Sequence, residues 1–200
     1  MLAVLLPLAA TLAGPADGGP PGAGRAVRFA PFAVPDQFGG DREVAGEAGA
    51  VRVFVYGDRK AAEASRALGA DLHVRFHPAA AGKKEKDAAA APVRPVPGFP
   101  GAAVRVRVIP VACAAGVPRP VRAAVAFQLR RAAPHTPIWL DWEGGFAERF
   151  GVAAGVPNAV VVAPDGAAVR LEAGDAAAAD RLEAAVAGLR RRVAAVDLQN

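Results

Sequence analysis

A mostly apolar run, Val51 to Tyr56, passes directly into the polar turn Gly57-Asp58-Arg59-Lys60 and a stretch of helical composition reaching about Ala70. A strand that is apolar on both sides must be covered on both faces, and helices supply that cover in parallel sheets. This puts the segment at the centre of an α/β sheet. Asp58 is placed to cap the first turn of the following helix. Beyond Ala70 two patterns compete: Leu72, Val74 and Phe76 alternate as in a strand, while Leu68, Leu72 and Phe76 step by four as in a helix. A continued helix is preferred.

The flanking segments follow the same logic. Phe29, Phe32, Val34 and Phe38 punctuate a proline-containing stretch suited to an edge strand or extended arm, with a turn at Gly39-Gly40. Residues 79–103 combine a lysine cluster, an alanine run and Pro92, Pro95, Pro97 and Pro100, which suggests an exposed insertion of polyproline character. Val104, Val106, Val108, Ile109 and Val111 make a strand that ends at Ala112-Cys113. Val117, Val121, Val125 and Leu129 predict a helix from about Pro118 to Ala132 with its arginines turned outward.

Ile138 to Asp141 is a short strand and Glu143 to Phe150 a helical turn or two. Ala159 to Ala163 and Ala167 to Leu171 flank Pro164-Asp165-Gly166, a hairpin signal. Leu182, Val186, Leu189, Val193 and Val196 mark an amphipathic C-terminal helix, with Asp175 as its cap and Arg190 to Arg192 near its negative end. Strands separated by helices imply parallel pairing, and the closing hairpin adds antiparallel strands at one side. The predicted fold class is therefore an α/β sandwich, a mixed sheet flanked by helices. With 200 residues and 53% apolar content, the chain supports one core and a single domain, over residues 27–196.

Within that order, Phe32-Ala33-Val34-Pro35-Asp36-Gln37-Phe38-Gly39, Trp139-Leu140-Asp141, Phe150-Gly151-Val152 and Gly155-Val156-Pro157-Asn158-Ala159-Val160-Val161-Val162 with Pro164-Asp165-Gly166 form a recognisable set. On these residues the chain resembles the thioredoxin-like superfamily, in particular the redoxin branch of alkyl hydroperoxide reductases, thiol-specific antioxidant proteins and thiol–disulfide oxidoreductases. The resemblance spans roughly Val27 to Arg190, with the proline-rich insertion interrupting it. It implies that Tyr56, Gly57, Asp58, Arg59 and Lys60 occupy the active-site turn and that Pro157 is the cis-proline opposite. The catalytic Cys-x-x-Cys pair of the family is missing there. A thiolate at that helix start is what the exchange chemistry needs, and no residue from Gly57 to Ala61 supplies one.

Cys113 is the single cysteine, so no internal disulfide can form. It lies at the C-terminal end of a parallel strand, on the rim where ligand sites of open α/β sheets gather. Two readings stand: an inert, half-buried thiol behaving as a small hydrophobe, or a one-cysteine redox site assisted by Arg59 or Lys60. His73 and His77 share a face as a helix or as a strand, and with His135, Asp141 or Cys113 they would approach a metal-ligand set. Two histidines alone fall short of the three or four ligands that zinc requires, so the sequence assigns no metal site and no cofactor. Glu143 and Glu148 read as surface carboxylates, and Trp139 and Trp142 as core and rim residues.

The net charge of +5 is scattered apart from Lys83-Lys84-Glu85-Lys86 and Arg190-Arg191-Arg192. Nucleic-acid binding would want a basic stripe interleaved with aromatics, and one Tyr and two Trp do not supply it. Met1 to Ala13 reads as an export signal, too short to span a bilayer and lacking a preceding basic residue, with a plain unstructured terminus as the alternative. Residues 14–26 read as a flexible linker. The expected protein is an exported, periplasmic or extracellular thioredoxin-like module without thiol catalysis, binding an unidentified protein partner. The alternative is a divergent redoxin that works through Cys113.

Overall fold

The computed structural model describes residues 27–197. The signal-like segment at 1–13 and the linker at 14–26 lie outside the described residues. In chain order the elements are β1 (Val27–Arg28), β2 (Phe32–Pro35), β3 (Asp41–Val44), β4 (Ala50–Gly57) and α1 (Ala62–Phe76). Then come α2 (Glu85–Ala89), β5 (Arg105–Cys113), α3 (Arg119–Ala132), β6 (Trp139–Asp141) and α4 (Gly145–Phe150). The chain closes with β7 (Asn158–Val162), β8 (Ala167–Glu172) and α5 (Ala178–Asp197).

Six strands form one sheet in the order β1-β8-β7-β4-β5-β6, and β2 pairs with β3 in a separate hairpin. The β4–β5 and β5–β6 pairs are parallel, whereas β7 runs antiparallel to β4 and to β8. This is the mixed α/β sheet that the order of elements predicts. The hairpin turn falls at Pro164-Asp165-Gly166, where Gly166 takes a φ of +81° that a side chain would resist.

Every residue of β4 is buried, as its apolar run requires. Successive side chains alternate between faces. Val51, Val53 and Val55 pack with Leu72 and Phe76 of α1 and with Leu182 and Val186 of α5. Phe54 and Tyr56 face the opposite layer with Val111, Trp139, Phe146 and Val160. Arg52, the one charge in the strand, lies with its guanidinium 5.3 Å from the ring centroids of both Phe54 and Trp139. It donates to the carbonyls of Glu43 and Ala45, so burial of the cation is offset by acceptors and aromatic faces.

The helix reading of Leu68, Leu72 and Phe76 holds, since α1 runs to Phe76. Four other expectations are corrected. Residues 79–103 do not stand out as a polyproline arm: a 3-10 turn at Pro78–Ala80 and α2 fold back, and Ala80, Ala91 and Val96 are buried. The prolines project outward while the apolar residues between them point in, and the Arg94 N–H donates to the Phe76 carbonyl at 2.7 Å. Arg190 does not sit at the end of α5 as a solvated dipole partner. It is buried and donates to the carbonyls of Val104 and Arg94.

In α3, Arg122 and Arg130 turn toward the body rather than outward. Arg122 donates to Glu143 and to the carbonyls of Val117 and Trp142, and Arg130 to the Gln37 carbonyl. These guanidinium groups anchor the helix to carbonyls of the body. Last, no peptide bond among the described residues is cis, and Val156–Pro157 is trans. The Asn158 side chain ties this loop together, accepting from the Ala153 N–H and donating to the carbonyls of Ala153 and Val156, and Pro157 is buried.

Candidate functional site at the C-terminal rim of the sheet

β4, β5 and β6 end at one rim, and their last residues come together. Register places Tyr56 beside Val111 and Gly57 beside Ala112, while Cys113 pairs with Asp141. Cys113 therefore lies one residue past the strand partner of Gly57, next to the turn, as the sequence places it.

Gly57 ends β4 where α1 passes close by. A Cβ there would stand 2.3 Å from Ser65 Oγ and 2.9 Å from Ser65 Cβ, so only glycine fits. Asp58 is expected to cap α1, but the helix begins at Ala62 and Asp58 instead organises the turn ahead of it. Its Oδ1 accepts from the N–H groups of Lys60 and Ala61, each at 2.9 Å. Its Oδ2 accepts from the Gly155 N–H at 2.7 Å. The Ala61 N–H bond, joined by those from Gly155 and Lys60, outweighs the cost of burial and holds the Asp58 carboxyl below the usual range. Asp58 thus ties the turn to the loop that leads into Pro157. The side chains of Arg59 and Lys60 are exposed.

On the other face of the sheet lies a buried polar cluster. Asp141 Oδ2 accepts from the Tyr56 hydroxyl at 3.2 Å and from the N–H groups of Phe146 and Ala147, each at 3.1 Å. The Tyr56 hydroxyl also meets the Cys113 thiol. Burial, then the Cys113 contact, then Asp141 push the Tyr56 phenol far above its ordinary value. A stacked Phe146 ring, 5.3 Å away and tilted by 9°, closes over it. The thiol of Cys113 is half-buried in this aromatic layer, on the face away from Ser65 and α1. Among the described residues no Lys, Arg or His side chain bonds to it, and Arg59 and Lys60 lie on the turn instead.

The chain's single tyrosine gives this arrangement a direct readout. A folded-state acid whose ionisation is opposed contributes stability that is intact below the unfolded value, about 10, and is lost as pH rises above it. Phenolate absorbance near 295 nm is therefore expected to stay absent to about pH 11 and to appear only with unfolding. Ionisation near pH 10 in the folded protein would overturn the buried cluster.

His73 and His77 stack at 4.6 Å, and their ring nitrogens meet backbone carbonyls. His73 Nε2 meets the Ala88 carbonyl, and both nitrogens of His77 meet carbonyls, those of Ala91 and Val106. Burial, opposed by the Ala88 contact and joined by His77, lowers the His73 imidazole. His135 is exposed on the loop after α3 and Asp141 belongs to the buried cluster; no group of three or more His, Cys, Asp or Glu is placed to hold a metal among the described residues. The pair instead pins residues 88–91 to α1 and β5. Trp139 is core and Trp142 rim, as predicted, and Glu148 is exposed, whereas Glu143 holds Arg122. Sequence reasoning missed the Tyr56–Asp141 contact, which joins residues 85 positions apart. The only signal available was that both stand at strand ends.

No family model and no curated protein sequence matches this chain. Solved structures do. The exposed lipoprotein thioredoxin from Streptococcus pneumoniae is 14% identical over 80% of this chain and 100% of its own, with a TM-score of 0.52. A candidate thiol:disulfide interchange protein DsbE from Chlorobium tepidum is 13% identical over 82% of this chain and 96% of its own, at 0.51. A candidate protein disulfide isomerase from Bacteroides thetaiotaomicron is 12% identical over 85% and 93%, at 0.50. The chain has the thioredoxin-like fold, and the turn at Gly57 to Lys60 stands at the rim of its central parallel strands.

Proposed function

We propose that this protein is an exported thioredoxin-like module that does not exchange thiols and disulfides but acts by binding a partner. The observation that supports this reading is the Asp58 carboxylate, which stands in the turn where a redoxin thiolate would be expected and accepts from the N–H groups of Lys60, Ala61 and Gly155. A fixed negative charge in the turn ahead of α1 also disfavours a second anion there. Export is supported by the apolar Met1 to Ala13 run and by the exposed lipoprotein among the similar structures. No described helix is long and apolar enough to cross a membrane.

Turbidity of insulin reduced by dithiothreitol tests the absence of catalysis. The expected rate with the protein equals that with dithiothreitol alone, and clear acceleration would sink this reading. A second reading, a divergent redoxin using Cys113, is favoured by one observation: the thiol sits at the rim in contact with Tyr56, next to the turn. Sulfenic-acid labelling after peroxide treatment, with Cys113→Ser as the blank, separates the two readings. Labelling of the wild type alone would select the second.

A further inference from the structure

The carbonyl partners of the stacked histidines decide where their protons are. A carbonyl oxygen only accepts, so each ring nitrogen that meets one carries a hydrogen. His73 needs one, on Nε2, which meets the Ala88 carbonyl at 3.0 Å. His77 needs two, because Nδ1 meets the Ala91 carbonyl at 2.9 Å and Nε2 the Val106 carbonyl at 3.2 Å. An imidazole with hydrogens on both nitrogens is a cation, whereas a neutral ring would turn a lone pair on one of these oxygens. The charge of the pair therefore sits on His77. Burial, joined by that charge and opposed by the Ala88 contact, lowers the His73 imidazole, which keeps the ring stacked on the cation neutral.

The surrounding charges are committed elsewhere. On α1, Arg75 pairs with Asp71 and with Asp180 and Glu183 of α5, and Arg94 shares Glu183. From β5, Arg105 and Arg107 both pair with Glu47. Lys83, Lys84, Lys86 and Asp87 are exposed, and Glu85 at the start of α2 has a buried Oε1 that accepts from neither ring. The two carbonyls are what hold the His77 ring. Val106 lies where β5 has no strand on its outer side: the Arg105 N–H donates to the Gly49 carbonyl on the β4 side, so Val106 addresses the other side, and β6 pairs only from Val111 onward. His77 caps that open carbonyl. Through Ala91 it also holds the excursion that leaves α1 at Pro78 and returns at Arg94, whose N–H is fixed to the Phe76 carbonyl.

We propose that His77 is a proton-operated clasp: as the imidazolium it fastens residues 78–91 to the outer edge of β5, and on losing a proton it releases Val106 and loosens that segment. The bond given up is the longer one, which leaves Nδ1–H on Ala91. The release is local, because the Arg94 N–H stays anchored and Leu72, Phe76 and Val104 stay buried. It falls within about pH 5 to 8, the range in which histidines change charge.

Long-range proton–nitrogen correlation spectra of protein carrying isotope-labelled histidine count the hydrogens on each ring, with His135, exposed on its loop, as the reference. His77→Gln assigns the His77 signals. At about pH 6, His77 is expected to show two protonated nitrogens and His73 one. At about pH 8, His77 is expected to have lost the hydrogen on Nε2, and the amides of residues 78–91 to exchange about tenfold faster or more after correction for base catalysis. Corrected exchange of Val51 to Val55 should stay the same. His77→Gln donates from one nitrogen and does not titrate, so it is expected to remove the pH dependence of the segment. A single protonated nitrogen on His77 at the lower pH would overturn the proposal without any variant. Equal corrected exchange at the two pH values, or a pH dependence that survives in His77→Gln, would overturn it as well.

Discussion

Replacing Asp141 with alanine is expected to lower the unfolding free energy by about 3 kcal/mol or more, the cost of leaving three buried donors without their acceptor. Three donors converge on Oδ2: the Tyr56 hydroxyl and the N–H groups of Phe146 and Ala147. All three lose their acceptor at once, in a site where water cannot easily replace it, and each orphaned donor costs about 1–3 kcal/mol before relaxation. The effect also spreads along the chain. Asp141 joins the end of β6 to the first turn of α4, so its loss frees the short helix whose Phe146 covers Tyr56. Asp141→Asn keeps one acceptor oxygen and is expected to recover part of the loss. Urea unfolding followed by tryptophan fluorescence gives the measurement. A loss below about 1 kcal/mol for the alanine variant would mean that the cluster does not hold α4 in place.

The fold was legible in this sequence where residues repeat with a period. β4, β5 and β7 are written in valines, isoleucine and phenylalanine, and α5 in leucines and valines spaced by three and four, so tertiary contacts had only to agree with a local pattern. The misreadings share a different cause. The pattern reads the arginines of α3 and Arg190 as solvated, yet Arg122, Arg130 and Arg190, like Arg52 in β4, bond carbonyls within the fold. A guanidinium carries five donors on an apolar stem, so it is placed by where unsatisfied carbonyls lie, and that is a property of loops distant in sequence. Proline misled in the same way between Pro92 and Pro100, because the apolar residues interleaved with it decided the path.

The candidate site was readable only in part. The turn at Gly57 and the nearness of Cys113 follow from strand ends meeting at one rim, which topology dictates. That Asp58 reaches Gly155, and that Tyr56 turns to Asp141, depends on which face each strand residue takes and on a loop conformation. Neither is encoded by spacing. The trans Val156–Pro157 bond belongs with these: the resemblance carried the expectation, and the loop around Asn158 takes the other isomer.

Phe146→Ala is expected to be comparably damaging, at about 3–5 kcal/mol, the range for removing a buried phenylalanine. Phe146 is wholly buried and stands at the centre of the aromatic layer. Its ring stacks on Tyr56 and lies 5.6 Å from Phe54, 6.2 Å from Phe32 and 4.8 Å from Phe150. Removing it withdraws a partner from each of these rings at once, and the fixed strands on one side limit collapse into the space. Phe146→Leu keeps most of the volume and is expected to cost about 1.5 kcal/mol or less. Loss of the cover also admits water to the Tyr56 hydroxyl, so the phenolate should appear at lower pH in Phe146→Ala than in the wild type. The two readouts are independent. A large loss of stability with an unchanged tyrosine titration would place Phe146 in the core but not over the site, whereas a loss under about 1.5 kcal/mol would contradict its position in the fold.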